Sequence, residues 1–228
     1  MQFVRIAIVL SLLAVALPAQ SPVMSGPTPR AKDGKADLSG LWSPDGKFSG
    51  DFSKALKPGE KISMLPSAEA LLKTRKAKDD PAAKCLPMGV PRLSVYPEKL
   101  VQFPTELMIL FEGDIHSFRQ IFFTASHSKD LDPTWYGDSI GKWDGDTLVA
   151  DTISFNSRTW LDSVGHPHTD KLHVVEHYRR PNFGTLELKV TVEDPGAYTK
   201  PFTMTGKFSL LADKEIRERN CYKSPVDK

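Results

Sequence analysis

The sequence predicts a mainly β protein: an antiparallel meander of strands that closes into a barrel, with one short helix before it and a two-sheet β-sandwich as the alternative. Three observations point there. From Thr105 onward, apolar residues recur with a period of two through seven segments. Between these segments lie turn-rich stretches with almost no helical periodicity, the signature of sequential antiparallel strands rather than of βαβ units. The 228 residues, 40% hydrophobic and 25% charged, have an ordinary globular composition and are enough to bury one core.

Taken from the amino terminus, the first element is an address. Met1–Arg5 is short and basic, and Ile6–Leu17 is a run of 12 residues without charge, too short to span a bilayer and suited to a signal peptide cleaved after Ala19. Residues 1–19 are therefore expected to direct export to the periplasm or the extracellular space. No later segment reaches 18 consecutive apolar residues, so no membrane insertion is expected after cleavage. Residues 20–37, rich in Pro, Ser, Gly and Lys, read as a flexible leader, and residues 38–228 as a single β-barrel domain.

Residues 38–43 (LSGLWS) read as a first short strand and residues 44–66 as irregular. Residues 67–78 form the expected helix: Ser67 stands as cap before good helix formers, and Lys73, Arg75, Lys76 and Lys78 fill a basic, solvated face. Residues 81–97 carry four prolines and read as an extended lead-in. Strands follow at 107–112, 117–123, 139–143, 147–153, 171–180, 185–193 and 202–211, with an eighth from 38–43 or 214–222. That spacing suggests a lipocalin-like (calycin-like) barrel.

The connections differ in length. Asp144-Gly145 is a two-residue hairpin signal, and Pro181–Gly184 and the piece around Gly113 are tight turns. By contrast, 124–138 and 154–170 span 15 and 17 residues, with 194–201 intermediate. In an up-and-down meander these three longer connections share one rim, and loops this long are usually functional. The mouth so formed would hold His127, Trp135, Asp138, Trp160, Asp162, His166, His168 and Tyr198, the amphipathic inventory of a small-molecule site.

Two registers follow from the turns. With Asp144-Gly145 as the turn, Asp138 falls opposite Asp151, and two facing carboxylates cannot both ionise cheaply, which suits a general acid and a base. An even-numbered turn at 181–184 places Arg179, His177 and His173 on the inner face with Leu186 and Leu188, and Glu176 outside against Lys189. A three-residue turn would reverse those faces. Arg119, in SFRQIFF, is placed beside Glu112 as an interior ion pair able to hold a polar group.

Other chemistries fit less well. His166-x-His168 with Asp162 is the alternative metal site, whereas His173 and His177 lie roughly 13 Å apart on a strand and cannot share an ion. Gly137–Gly141 matches G-x-S-x-G, but a hairpin rather than a helix follows it, so a serine-hydrolase elbow fails its structural test. No Walker loop, dinucleotide fingerprint or haem-attachment motif is present, and no cofactor is expected. With 30 basic and 28 acidic residues the net charge of +2 gives no drive toward nucleic acid, so the expected partner is a small molecule; the oligomeric state is not legible. Cys85 and Cys221, the two cysteines, are expected to pair as a disulfide after export, with two separate thiols as the alternative.

The segments GDSIGKWDGDTLVADTISFN, TWLD, GHPHT, LHVVEHYRR and EDPGAYTKPF, with CLPMGVPR upstream, resemble a group of secreted bacterial proteins of unassigned function over roughly residues 80–205. The resemblance implies export and a common fold. It supplies no reaction. The reading is thus an exported small-molecule-binding barrel, with acid–base chemistry (a lyase, isomerase or hydrolase step) as its enzymatic form. Asp138, Asp151, Asp162 and His168 would carry that chemistry, Trp135 and Trp160 would wall the site, and Arg119, His127, His173, His177, Arg179 and Tyr198 would contact the ligand. A non-catalytic envelope or interaction protein and a metal-dependent enzyme using His166 and His168 are the alternatives.

Overall fold

The computed structural model describes residues 24–44, 50–57, 59–92, 97–113 and 117–217. Nine strands form one closed barrel in sequential order: β1 (Gly40–Pro44), β2 (Glu98–Gln102), β3 (Glu106–Phe111), β4 (Phe118–Phe122), β5 (Asp138–Asp144), β6 (Thr147–Ile153), β7 (His173–Asn182), β8 (Thr185–Glu193) and β9 (Phe202–Leu210). Closure, by pairing of β1 with β9, removes the sandwich alternative. A closed ring with an odd number of strands cannot alternate direction all the way round. One neighbouring pair must run parallel, and it is β4 with β5, joined at Phe122 and Ile140.

That parity has a geometric consequence. Parallel neighbours need a crossover of a dozen or more residues, and the 15 residues of 123–137 supply it, running from the tight-turn end back to the other end. This corrects the expectation that the 124–138 connection is a rim loop. Gly137, at φ +71°, delivers the crossover into β5; a Cβ there would sit 2.6 Å from the Ile153 carbonyl oxygen.

The interior is filled by alternate side chains. Trp42, Leu100, Leu107, Ile109, Leu148, Val174, Tyr178, Leu188, Val190, Met204 and Phe208 are all buried in one continuous cluster. Both ends are covered. At the long-loop end lies a segment containing helix α1 (Pro66–Thr74), tied down by Leu65 N–H to the Ala197 carbonyl (2.8 Å) and Thr199 N–H to the Ser63 carbonyl (2.9 Å). Phe52, Ala55, Ala68, Met88 and Val90 of this segment join the core. The expected open mouth is therefore roofed by apolar side chains that need burial.

At the tight-turn end, residues 24–39 lie across the barrel. Phe183 and Gly184 donate to the Gly26 and Met24 carbonyls (2.7 and 2.9 Å), and buried Arg180 donates to the Asp37 and Ser39 carbonyls (2.7 and 3.1 Å). From Met24 on, the expected flexible leader is thus part of the fold, because a buried guanidinium must find acceptors and this segment provides them.

Local differences have local causes. β2 follows directly on the proline-rich lead-in and ends two residues before Pro104, and five residues (EKLVQ) are too few to display alternation. α1 starts one residue before Ser67, with Pro66 in its first turn and Leu65 at the cap position, so Ser67 is helical rather than capping. In the β5–β6 hairpin the turn residues are Gly145 and Asp146. Asp138 therefore pairs with Ile153, and Asp151 with Ile140, a two-residue slip that keeps Asp138 and Asp151 on one face.

In β7–β8 the slip is one residue. A bulge between Arg179 and Asn182 pairs His177 with Lys189 and Tyr178 with Leu188, turning every side chain over. Glu176 points inward, and His173, His177 and Arg179 point outward, the reverse of the even-turn register.

Candidate functional site

Three groups of polar residues stand out. The first is inside the barrel. Arg119 donates to Glu176 (2.5 Å), to the Thr152 hydroxyl (2.8 Å) and, through Nε, to the Ser139 hydroxyl (3.1 Å). Tyr178 donates to the other Glu176 oxygen (3.0 Å). Arg119 thus partners Glu176 rather than Glu112, because the bulge brings Glu176 inward. Glu98 lies beside this set with its Oε1 buried and unpartnered. Burial first, and then the Glu176 carboxylate, push the Glu98 carboxyl up to about 8, so it is neutral at pH 7. Burial likewise raises the Tyr178 phenol, while Glu176 holds Arg119 charged against its burial. Ser139 of the G-x-S-x-G match is consumed here by Arg119 and Thr152.

The second group is outside, on the wall at the long-loop rim. The crossover lays His127 across β5 and β6. Its Nδ1 meets Asp138 Oδ2 at 2.6 Å and its Nε2 meets Asp151 Oδ1 at 3.0 Å. The same Asp151 oxygen meets His173 Nε2 at 3.1 Å, and His173 Nδ1 stands 3.8 Å from Glu193, beyond hydrogen-bond reach. Desolvation opposes the charge on His127, but the bonds to Asp138 and Asp151 outweigh it and raise its pKa. Desolvation likewise opposes ionisation of Asp151, and the bonds from His127 and His173 outweigh it and lower its pKa. This corrects the expectation of one carboxyl held protonated by a facing carboxylate: imidazoles stand beside both. The Asp151 and His173 side chains are 40% and 34% exposed, so this chain of groups is open to solvent at the His173 end.

The third group belongs to the roof. Asp162 is fully buried and accepts from the backbone N–H of Phe52, Val164, Gly165 and His166, and from His166 Nδ1 at 2.6 Å. Despite burial, these donors hold its carboxyl below the usual range. His168 spends both ring nitrogens, on the Thr159 hydroxyl (2.6 Å) and the Thr169 carbonyl (3.0 Å), and burial lowers its pKa. Trp160 is buried under Arg75, 5.0 Å from its ring centre, and the Tyr198 hydroxyl donates to the Pro167 carbonyl at 2.6 Å. Among the described residues no cluster of His, Cys, Asp and Glu is arranged to hold a metal ion.

The remaining expected residues scatter. Trp135 is half-buried in the crossover, with the Arg158 guanidinium 6.0 Å from its ring centre. His177 and Arg179 line a groove in the outer wall. Cys85 ends a 3-10 turn (Pro81–Lys84), and Cys221 lies outside the described residues, as do residues 1–23 that include the expected signal peptide. No described helix is long and apolar enough to cross a membrane.

Of the expected residues, Asp138, Asp151, His127 and His173 come together, although distance along the chain gave no sign that His127 would reach both carboxylates. Glu98 was missed, and Glu176, read as pointing outward against Lys189, points inward to Arg119. The inward alternation Glu176-x-Tyr178-x-Arg180 was legible only to a reader who placed the bulge.

Fold and sites together define a closed, nine-stranded barrel with a sealed ionic interior and a solvent-open His–Asp cluster on its wall. Comparison of the chain with family models, with curated proteins and with solved structures yields no match.

Proposed function

We propose that this is an exported, small-molecule-binding β-barrel protein whose working site lies on the outer wall at the long-loop rim. His173 is its acid–base group. The supporting observation is the chain Asp138–His127–Asp151–His173: a carboxylate meets the imidazole at Nε2, and Nδ1 of this partly exposed ring stands 3.8 Å from Glu193, beyond hydrogen-bond reach. A bound molecule would give a proton to Nδ1 and take it back, the step common to lyases, isomerases and hydrolases. His127 and Asp138 are positioning residues that fix Asp151. Export rests on residues 1–19 and on the resemblance to secreted proteins, and a Cys85–Cys221 disulfide belongs to the same reading.

Acylation by diethylpyrocarbonate, mapped by peptide mass spectrometry, tests the site without knowledge of the substrate. His173 should react faster than the other histidines, and Asp151→Asn should slow it while leaving the Tm within about 2 °C. Unchanged His173 reactivity in a strongly destabilised Asp151→Asn protein would make the cluster a strap for the crossover and sink the proposal. Phe118 and Phe122, 51% and 41% exposed on β4, favour a second reading, an interaction protein that docks through this face. Concentration-dependent self-association that Phe118→Ser abolishes would support it.

A further inference from the structure

Beyond the rim, the wall carries a second constellation that the reading above does not use. A groove of about 360 Å³ runs over β7, β8 and β9 toward the tight-turn end, within the size range of small-molecule sites. Its polar side chains fall in two cross-strand rows. Thr147, Arg179, Glu187 and Lys207 are successive partners across β6 to β9, and His177, Lys189 and Thr205 form the next row.

The charges do not balance within the groove. Three cations, Arg179, Lys189 and Lys207, face one carboxylate, Glu187. Glu187 is already engaged by Arg179 at 2.8 Å and Lys207 at 3.6 Å, whereas Lys189 has no ion pair among the described residues. On β5 the rows continue into Asp144 and Lys142, opposite charges that cancel each other. His177 sits against Lys189 with its Nδ1 buried; burial first, and then the Lys189 ammonium, lower its pKa against the opposing pull of Asp144 and the Lys189 backbone. Like charges on neighbouring positions of a sheet face are unfavourable. An oxyanion on a small molecule answers this by meeting the cations, with the His177 ring as part of the groove's wall.

From this juxtaposition of Lys189, Arg179, Lys207 and His177 in one groove, we infer that the outer wall binds a small organic anion, a carboxylate or a phosphate ester. Malate and glycerol 3-phosphate carry the two candidate head groups, each with a hydroxyl. Titration of each into the full chain at constant ionic strength, read by calorimetry and by the His177 ring resonances, tests the site. Saturable binding of one or both should appear, with the stronger probe identifying the head group. Lys189→Met, an exposed-face change, should weaken it by about tenfold or more, and His177→Gln, which keeps a polar group, should weaken it less. No saturable binding up to about 10 mM, His177 shifts that chloride reproduces, or affinity unchanged in a folded Lys189→Met protein would each overturn the inference.

Discussion

The barrel interior and its outer wall each carry a set of linked ionisable side chains, to opposite ends. Inside, Arg119, Glu176, Tyr178 and Glu98 are sealed from water, every one within 4% of complete burial. Outside, His127, Asp138, Asp151 and His173 share bonds of similar length but keep access to solvent. At pH 7 burial keeps Glu98 of the inner set neutral, while Glu176 holds Arg119 charged. The outer set contains groups that can exchange protons with what binds them. Burial seals the first set from proton exchange with solvent and leaves the second open to it.

The contrast can be broken most severely from inside. Arg119→Met leaves the Glu176 carboxylate buried and unpaired, and should cost about 3–5 kcal/mol in denaturant unfolding. Adding Glu176→Leu to it should restore much of that loss, because replacing both partners by apolar groups removes the stranded charge. Failure of the double variant to recover would mean that the pair contributes more than mutual neutralisation.

Glu98 gives the next largest effect, with a definite sign. Its folded-state pKa of about 8 lies above its ordinary value of 4.5. The contribution is fully present below the lower value and lost as pH rises through the upper one, at about 1.4 kcal/mol per pH unit between them. Glu98→Gln removes this dependence, so its Tm should gain on the wild type as pH is raised from 5 to 8. Parallel Tm curves for the two proteins would show that Glu98 is not held neutral.

At the wall the effects are smaller. The raised pKa of His127 supplies stability that is complete below its ordinary 6.5 and lost as pH rises through the folded value; the lowered pKa of Asp151 supplies stability present above 3.8 and lost as pH falls through its folded value. The crossover should therefore be held most firmly between those two ordinary values. Hydrogen exchange in 124–137 should quicken on either side, and His127→Ala should cost about 1 kcal/mol or less, since the pairs are partly screened by solvent. Smallest of all, thiol titration of the denatured, unreduced protein should find no free thiol, whereas two per chain would remove the disulfide.

The sequence displayed the period of two, and through it most strands and their order, because alternate burial is written residue by residue in segments such as TLVADTI and TLELKVTVE. It hid what depends on counting. One unnoticed five-residue strand changed an even meander into an odd ring, and with it the path of 123–137. One extra residue at the bulge exchanged Glu176 for His173, His177 and Arg179 on the inner face. Asp162 was singled out as catalytic because buried and reactive carboxylates look alike in sequence; the four backbone N–H groups that consume it come from segments 110 residues apart, between Phe52 and Asp162, and from the turn just after it.

The pairing of β1 with β9 brings Trp42 opposite Leu210, so the clasp of the ring is made from the two ends of the barrel sequence. Such a ring cannot be finished piecemeal. Until the last strand arrives, β1 and β8 present raw edges to any neighbouring chain, and so long-range a final contact makes closure slow relative to the hairpins that precede it. The interval between making β8 and seating β9 is thus when this chain is most exposed to misassociation, and a chaperone that shields one strand edge would protect it best.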